Sequence, residues 1–140
     1  YLMAGTTTNL LYRQRGNLQT NNYIAASLVS ATQNGADRTN HSFKGLSIFV
    51  DVTARNGTST LTIALQSKDG NGNYSAIWTA AAALSATGQA KYLIYPTAEN
   101  TESWTEMANT VLGAVEYRVI ATYGGADTIS FDIDLVELMA

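Results

Sequence analysis

Leu46, Ile48, Val50 and Val52 alternate along the chain with Ser47, Phe49, Asp51 and Thr53. Successive side chains of a strand point to opposite sides, so this period of two predicts a β-strand with one apolar face and one wet face. The pattern returns with Leu61, Ile63 and Leu65 set against Thr60, Thr62 and Gln66. It returns twice more near the C-terminus. Tyr117, Val119, Ala121 and Tyr123 alternate with Glu116, Arg118, Ile120 and Thr122, and Ile129, Phe131, Ile133 and Leu135 alternate with Ser130, Asp132 and Asp134. Shorter strand candidates cover 23–32, 74–79 and 91–95, the last stopped by Pro96.

Turn signals separate these runs. Asn56-Gly57 lies between two alternating stretches and predicts a hairpin. Lys68-Asp69-Gly70-Asn71-Gly72-Asn73-Tyr74 and Gly124-Gly125-Ala126-Asp127 supply further positions suited to positive φ. Residues 33–43 read as a loop, and the alanine-rich 80–90 as a loop or one helical turn. A long polar connection over 97–113 contains Trp104, with a short helix as the candidate element over 101–107. Connections of this length usually carry function or an interface. Residues 1–20 show no sustained period. They hold an apolar knot, Leu10-Leu11-Tyr12, followed by Arg13 and Arg15. The expected organisation is an extended N-terminal arm over 1–22 and one domain over 23–140. That domain is expected to be all-β, an antiparallel β-sandwich or jelly roll of about seven or eight strands.

Composition supports this class. The polar residues are mainly Thr, Ser, Asn and Gly, which favour strands and turns, and helix-favouring Glu, Lys and Arg are scarce. A chain of 140 residues suits one domain with a core that needs no staple. Cysteine is absent, which removes disulfides and thiolate metal sites. Charged residues make up 14 % of the chain against a usual ~25 %, the net charge is −3, and Lys and Arg form no cluster. Nucleic-acid binding therefore has no electrostatic footprint. The longest apolar run, 76–84, falls far short of the ~20 residues of a membrane helix, and no signal-peptide layout opens the sequence. These features read as a soluble chain with neither nucleic acid nor membrane as partner.

Candidate chemistry is sparse. His41 is the sole histidine and sits in a polar loop, with no Gly-x-Ser-x-Gly elbow for it to serve. Asp132 and Asp134 lie two apart on one strand face, with Asp51 on another strand, a spacing open to paired carboxylate chemistry. Acids at alternate positions are also what a solvated strand face carries, and that reading is the one adopted. Asp69, Asn71 and Asn73 match the opening ligands of a calcium loop. Tyr74 then stands where the loop needs glycine, and Ala80 where it needs a bidentate acid. The stretch is expected to be a turn, with no metal and no cofactor. Asn40, Asn56 and Asn73 begin Asn-x-Ser/Thr sequons, as an Asn- and Thr-rich chain produces by composition. Tyr74, Trp78, Tyr92 and Tyr95 raise the alternative of a glycan- or receptor-binding module, although aromatics on strands more often serve the core.

From Lys44 to Leu138 the chain resembles a known family. The marks are Gly45-x-x-x-x-Val50-Asp51-Val52-Thr53, the Gln66-x-Lys68-Asp69 turn followed by Tyr74, Tyr92-x-x-Tyr95-Pro96, and Tyr117-Arg118-Val119. Gly113 stands where that pattern has a proline. These marks resemble the small β-sandwich decoration, cement or minor capsid proteins of tailed-bacteriophage heads. The resemblance implies a non-enzymatic structural virion protein, made in the host cytoplasm and bound to the capsid's outer surface. It implies the major capsid protein as partner, and self-association, with a trimer as one arrangement. Leu10, Leu11, Tyr12, Arg13, Arg15 and Trp104 are the candidate interface residues.

Overall fold

A computed structural model describes residues 17–96 and 103–139, and in it the alternating runs pair into two sheets packed face to face. In chain order the strands are β1 (Leu18–Val29), β2 (Gln33–Asn34), β3 (Arg38–Thr39), β4 (Gly45–Arg55) and β5 (Thr60–Lys68). They continue with β6 (Tyr74–Thr79), β7 (Gly88–Ile94), β8 (Glu106–Ala108), β9 (Glu116–Gly124) and β10 (Ile129–Leu138). The first sheet has the order β1-β10-β4-β7-β8. The second has β2-β9-β5-β6, with β3 also paired to β9. All pairings are antiparallel except that of β7 with β8. The expected β-sandwich is therefore what the chain forms, and no helix is present among the described residues.

The parity read from the sequence sorts the core. Leu46, Ile48, Val50 and Val52 of β4, Tyr92 and Ile94 of β7, and Phe131, Ile133 and Leu135 of β10 point inward from the first sheet. Leu61, Ile63 and Leu65 of β5 meet them from the second, with Tyr117, Val119 and Ala121 of β9. Side chains from both inner faces interdigitate, as in aligned sandwiches.

Strand pairing departs from the sequence expectation. β4 and β5 do not form a hairpin. β4 pairs with β10 and β7, and β5 pairs with β9 and β6, so Asn56-Gly57 carries the chain from one sheet to the other. The Gly124–Asp127 turn makes the same crossing between β9 and β10. The two arches lean on each other. Asn56 N–H donates to Thr128 O at 3.0 Å, and Ser59 Oγ donates to Asn56 O at 2.8 Å. Gly125 sits at φ 80°, where a Cβ would lie 2.0 Å from Thr58 O, so the crossing needs glycine there.

Three other boundaries shift. β1 starts at Leu18, inside the stretch expected to be an arm. The loop over 33–43 contains β2 and β3, each two residues long. The described part of the candidate helix, 103–107, leads into the strand β8, whose Glu106–Ala108 backbone pairs with Tyr92–Ile94. An open sheet edge that could take the chain outweighed a weak helix signal.

Candidate functional site: a groove on the outer face of the first sheet

Side chains of even and odd parity divide the first sheet cleanly, so its outer face is set by the partners of the core positions. Phe49 and Asp51 of β4, Gln89 and Lys91 of β7, and Asp132, Asp134 and Val136 of β10 all line one groove of about 660 Å³. Gln19 and Asn22 of β1 close one side, and Ser103 and Thr105 the other.

Register brings the carboxylates together. Asp51 lies directly opposite Asp132, and Phe49 directly opposite Asp134. The Asp51 and Asp132 side chains have no hydrogen-bond partner among the described residues, whereas Asp134 Oδ1 accepts the Asn22 N–H at 2.7 Å. That contact uses the irregularity between Thr20 and Ile24, where Asn22 adopts φ 53°. Like charges facing each other across neighbouring strands are unfavourable. The acids at alternate positions thus gather as their spacing allowed, and they gather on a wet face.

Trp104 stands at the rim of this groove. Thr105 N–H donates to Lys91 O at 2.8 Å, and Lys91 N–H donates to Thr105 Oγ1 at 3.0 Å, which fixes the segment beside β7. The Lys91 ammonium lies 4.8 Å from the centre of the Trp104 ring, and the Phe49 ring is 6.2 Å away at 43°. Glu106 anchors the far side by accepting the N–H groups of Ala81 at 2.9 Å and Ala82 at 3.2 Å. Of the six candidate interface residues the structure places Trp104; Leu10, Leu11, Tyr12, Arg13 and Arg15 lie outside the described residues.

The remaining candidates resolve individually. His41 is exposed in the bend before β4 and makes no hydrogen bond with the described residues. Asp69 Oδ1 accepts the N–H of Asn71 at 2.8 Å and of Asn73 at 2.9 Å, so its carboxylate closes the β5–β6 turn. Those two backbone donors, Asn73 first, hold its pKa below the usual carboxylate range. Groups of three or more His, Cys, Asp or Glu arranged to hold a metal do not occur among the described residues. The Asn40 amide is used internally, donating to Phe43 O and Leu112 O and accepting the Phe43 N–H. Tyr92 is fully buried and packs on Trp78 with ring centres 5.2 Å apart, so these two aromatics serve the core. Tyr74 donates to Asp37 at 2.7 Å beneath the Arg118 guanidinium, 3.5 Å from its ring.

Sequence reasoning passed over the groove's other members. Phe49 and Lys91 were visible as outward parity positions. Their convergence with Trp104 required the pairing of β4 with β7 and of β7 with β8. Compared with protein-family models, curated proteins and solved structures, the chain has no match.

Proposed function

We propose that the protein is a structural virion component that binds the outer surface of a phage capsid and reinforces it through protein–protein contacts. The observation that carries this reading is the part played by the residues behind the family resemblance. Val50 and Val52 are core positions at the centre of the first sheet. Gln66, Lys68 and Asp69 shape the β5–β6 hairpin. Tyr92, Tyr117 and Val119 are fully buried. These marks of the resemblance are thus framework residues, and what such a framework presents outward is a contact surface.

The surface supports the same reading. The rim residue Trp104, half-buried beside Phe49 and Lys91, combines an apolar ring with a cation in the manner of interface anchors. Val111 and Val115 are also exposed, at 47 % and 77 %, and add apolar contact area. No nucleophile or metal enters this account, and the protein acts as a binder, not an enzyme.

Co-sedimentation with the mature capsid encoded alongside it tests the reading. The full chain is expected to pellet with the particle at a fixed stoichiometry, and Trp104→Ala is expected to weaken that occupancy at least tenfold. A chain that stays in the supernatant at every ratio overturns it.

A further inference from the structure

The groove carries three carboxylates and one ammonium, and that ammonium is engaged with the Trp104 ring. Two of the carboxylates oppose each other directly across β4 and β10. Along β10 the outward side chains run Val136, Asp134, Asp132, an apolar group and then two acids. Alternate residues of a strand are about 6–7 Å apart. An occupant that fits offers an apolar group followed by two cations at the same repeat.

The chain contains that series once. Leu11, Arg13 and Arg15 are alternate residues. Laid out in extended form and running against β10, they bring Leu11 to Val136 and Phe49, Arg13 to Asp134, and Arg15 between Asp132 and Asp51. Guanidinium groups suit this role because each can bridge two carboxylates.

In this register the same copy cannot supply the segment. Asn17 accepts the Met139 N–H through Oδ1 at 3.0 Å, which places it beyond the end of β10. Asp132 is seven residues further along that strand, about 23 Å. Arg15 is two residues from Asn17, a backbone reach of about 7 Å. Even with the arginine side chain stretched out, Arg15 falls short of its own Asp132, so in this register the occupant comes from a neighbouring molecule.

We propose that the outer-face groove of one copy receives the Leu10–Arg15 segment of a second copy, with Arg13 and Arg15 paired to Asp134, Asp132 and Asp51. A reciprocal exchange closes a dimer and a one-way exchange closes a ring. The inference concerns the isolated protein and stands apart from capsid binding.

Light scattering coupled to gel filtration, on the full chain without capsid, reads it directly. The wild-type chain is expected to associate, and to do so less at high salt. Arg13→Asp with Arg15→Asp, and separately Asp132→Lys with Asp134→Lys, are each expected to weaken association tenfold or more. The four changes together restore it in part, since Asp51 keeps its charge beside the reversed pair. Asp132→Asn with Asp134→Asn is the gentler groove variant, on a wet face with little bearing on folding, and is expected to weaken association in the same direction. A wild-type chain that is monomeric at the highest soluble concentration overturns the proposal, as does association that neither charge set changes. Wild-type monomers that use the three acids to bind the capsid protein, or hits on a glycan array, give the groove a different occupant and equally overturn it.

Discussion

The Arg38 guanidinium donates to the Glu137 carboxylate at 2.8 Å, an ion pair that ties β3 of one sheet to β10 of the other at the edge of the core. Glu137 follows Phe131, Ile133 and Leu135 on the inward face and is 1 % exposed, while the Arg38 side chain keeps 24 % of its surface. The pair is asymmetric. Removing the arginine strands a buried carboxylate, whereas removing the carboxylate leaves a cation with access to water. Arg38→Met is therefore expected to cost about 3 kcal/mol and Glu137→Gln less. Arg38→Met combined with Glu137→Leu is expected to recover most of the loss, because matched apolar replacement removes both desolvation penalties. Urea midpoints of the four proteins check the order.

Tyr92 and Tyr117 give the fold an alkaline limit. Burial, with the Glu106 charge adding to it, pushes the Tyr92 hydroxyl up to about 12 from the usual 10.0. Burial likewise raises Tyr117, with the Glu137 carboxylate adding to it. A raised folded-state value means the neutral phenol belongs to the fold. Its contribution is complete below pH 10 and is lost as pH climbs towards 12, where the unfolded chain ionises first. Tyr92→Phe is expected to flatten this fall by about 2 kcal/mol over that window. At neutral pH it is expected to lie within about 1 kcal/mol of wild type, since the Tyr92 hydroxyl has no hydrogen-bond partner among the described residues to lose. Melting curves from pH 7 to 12 separate the two effects.

The Asp69 turn has the opposite pH sense. Its carboxylate is held below the ordinary value by the Asn73 and Asn71 N–H groups. Its contribution is present above the unfolded value near 3.8 and disappears as pH falls through the lowered folded value. Hydrogen-exchange protection of the Asn71 and Asn73 amides, relative to free amides at the same pH, should drop in acid for wild type. In Asp69→Asn it should show no such acid step, because the amide oxygen still accepts. Added calcium is expected to leave the melting temperature unchanged, since Asp69 already spends an oxygen on its own turn.

Gly125 is the strictest backbone position among the arches. Gly125→Ala forces a Cβ against Thr58 O at φ 80° and is expected to cost about 2–3 kcal/mol. Gly113→Ala is the control. Its Cβ would meet nothing nearer than Val111 Cγ1 at 3.5 Å, an ordinary contact, and its thermal midpoint is expected to stay near wild type.

How far the sequence reached depends on whether a property is local. The inward faces of β4, β5, β9 and β10 follow from alternation alone, since burying one face of a strand fixes every second residue. The β5–β6 turn was legible because Asp69 and Gly72 act within the turn itself. Asn56-Gly57 was legible as a reversal, but its destination was not. A turn residue fixes the local bend, and the choice of pairing partner belongs to the whole core. β8 was missed for a related reason, since Glu106–Ala108 is strand only because β7 offers it an edge. Glu137 is the instructive case. Its place in the 131, 133, 135 series marks it as inward, so a charge at that parity was already a signal for a buried partner. The groove needed more than parity. Asp51 meets Asp132 through register across β10 and β4, which no single strand encodes.

The place of β10 in the first sheet bears on how the protein is made. It lies between β1 and β4, so the last of the described strands to leave the ribosome is an interior member of the sheet that the earliest of them helps form. Until Leu138 has emerged, β1 and β4 have no common neighbour, and the inner edge of each stays unpaired. Only the β5–β6 hairpin joins antiparallel strands adjacent in the described chain. Nascent chains therefore expose those edges until β10 has emerged, and closure of the first sheet is a slow and concerted event. Truncation just before Ile129, which leaves β1 and β4 without their common neighbour, is the condition under which those open edges turn into aggregation.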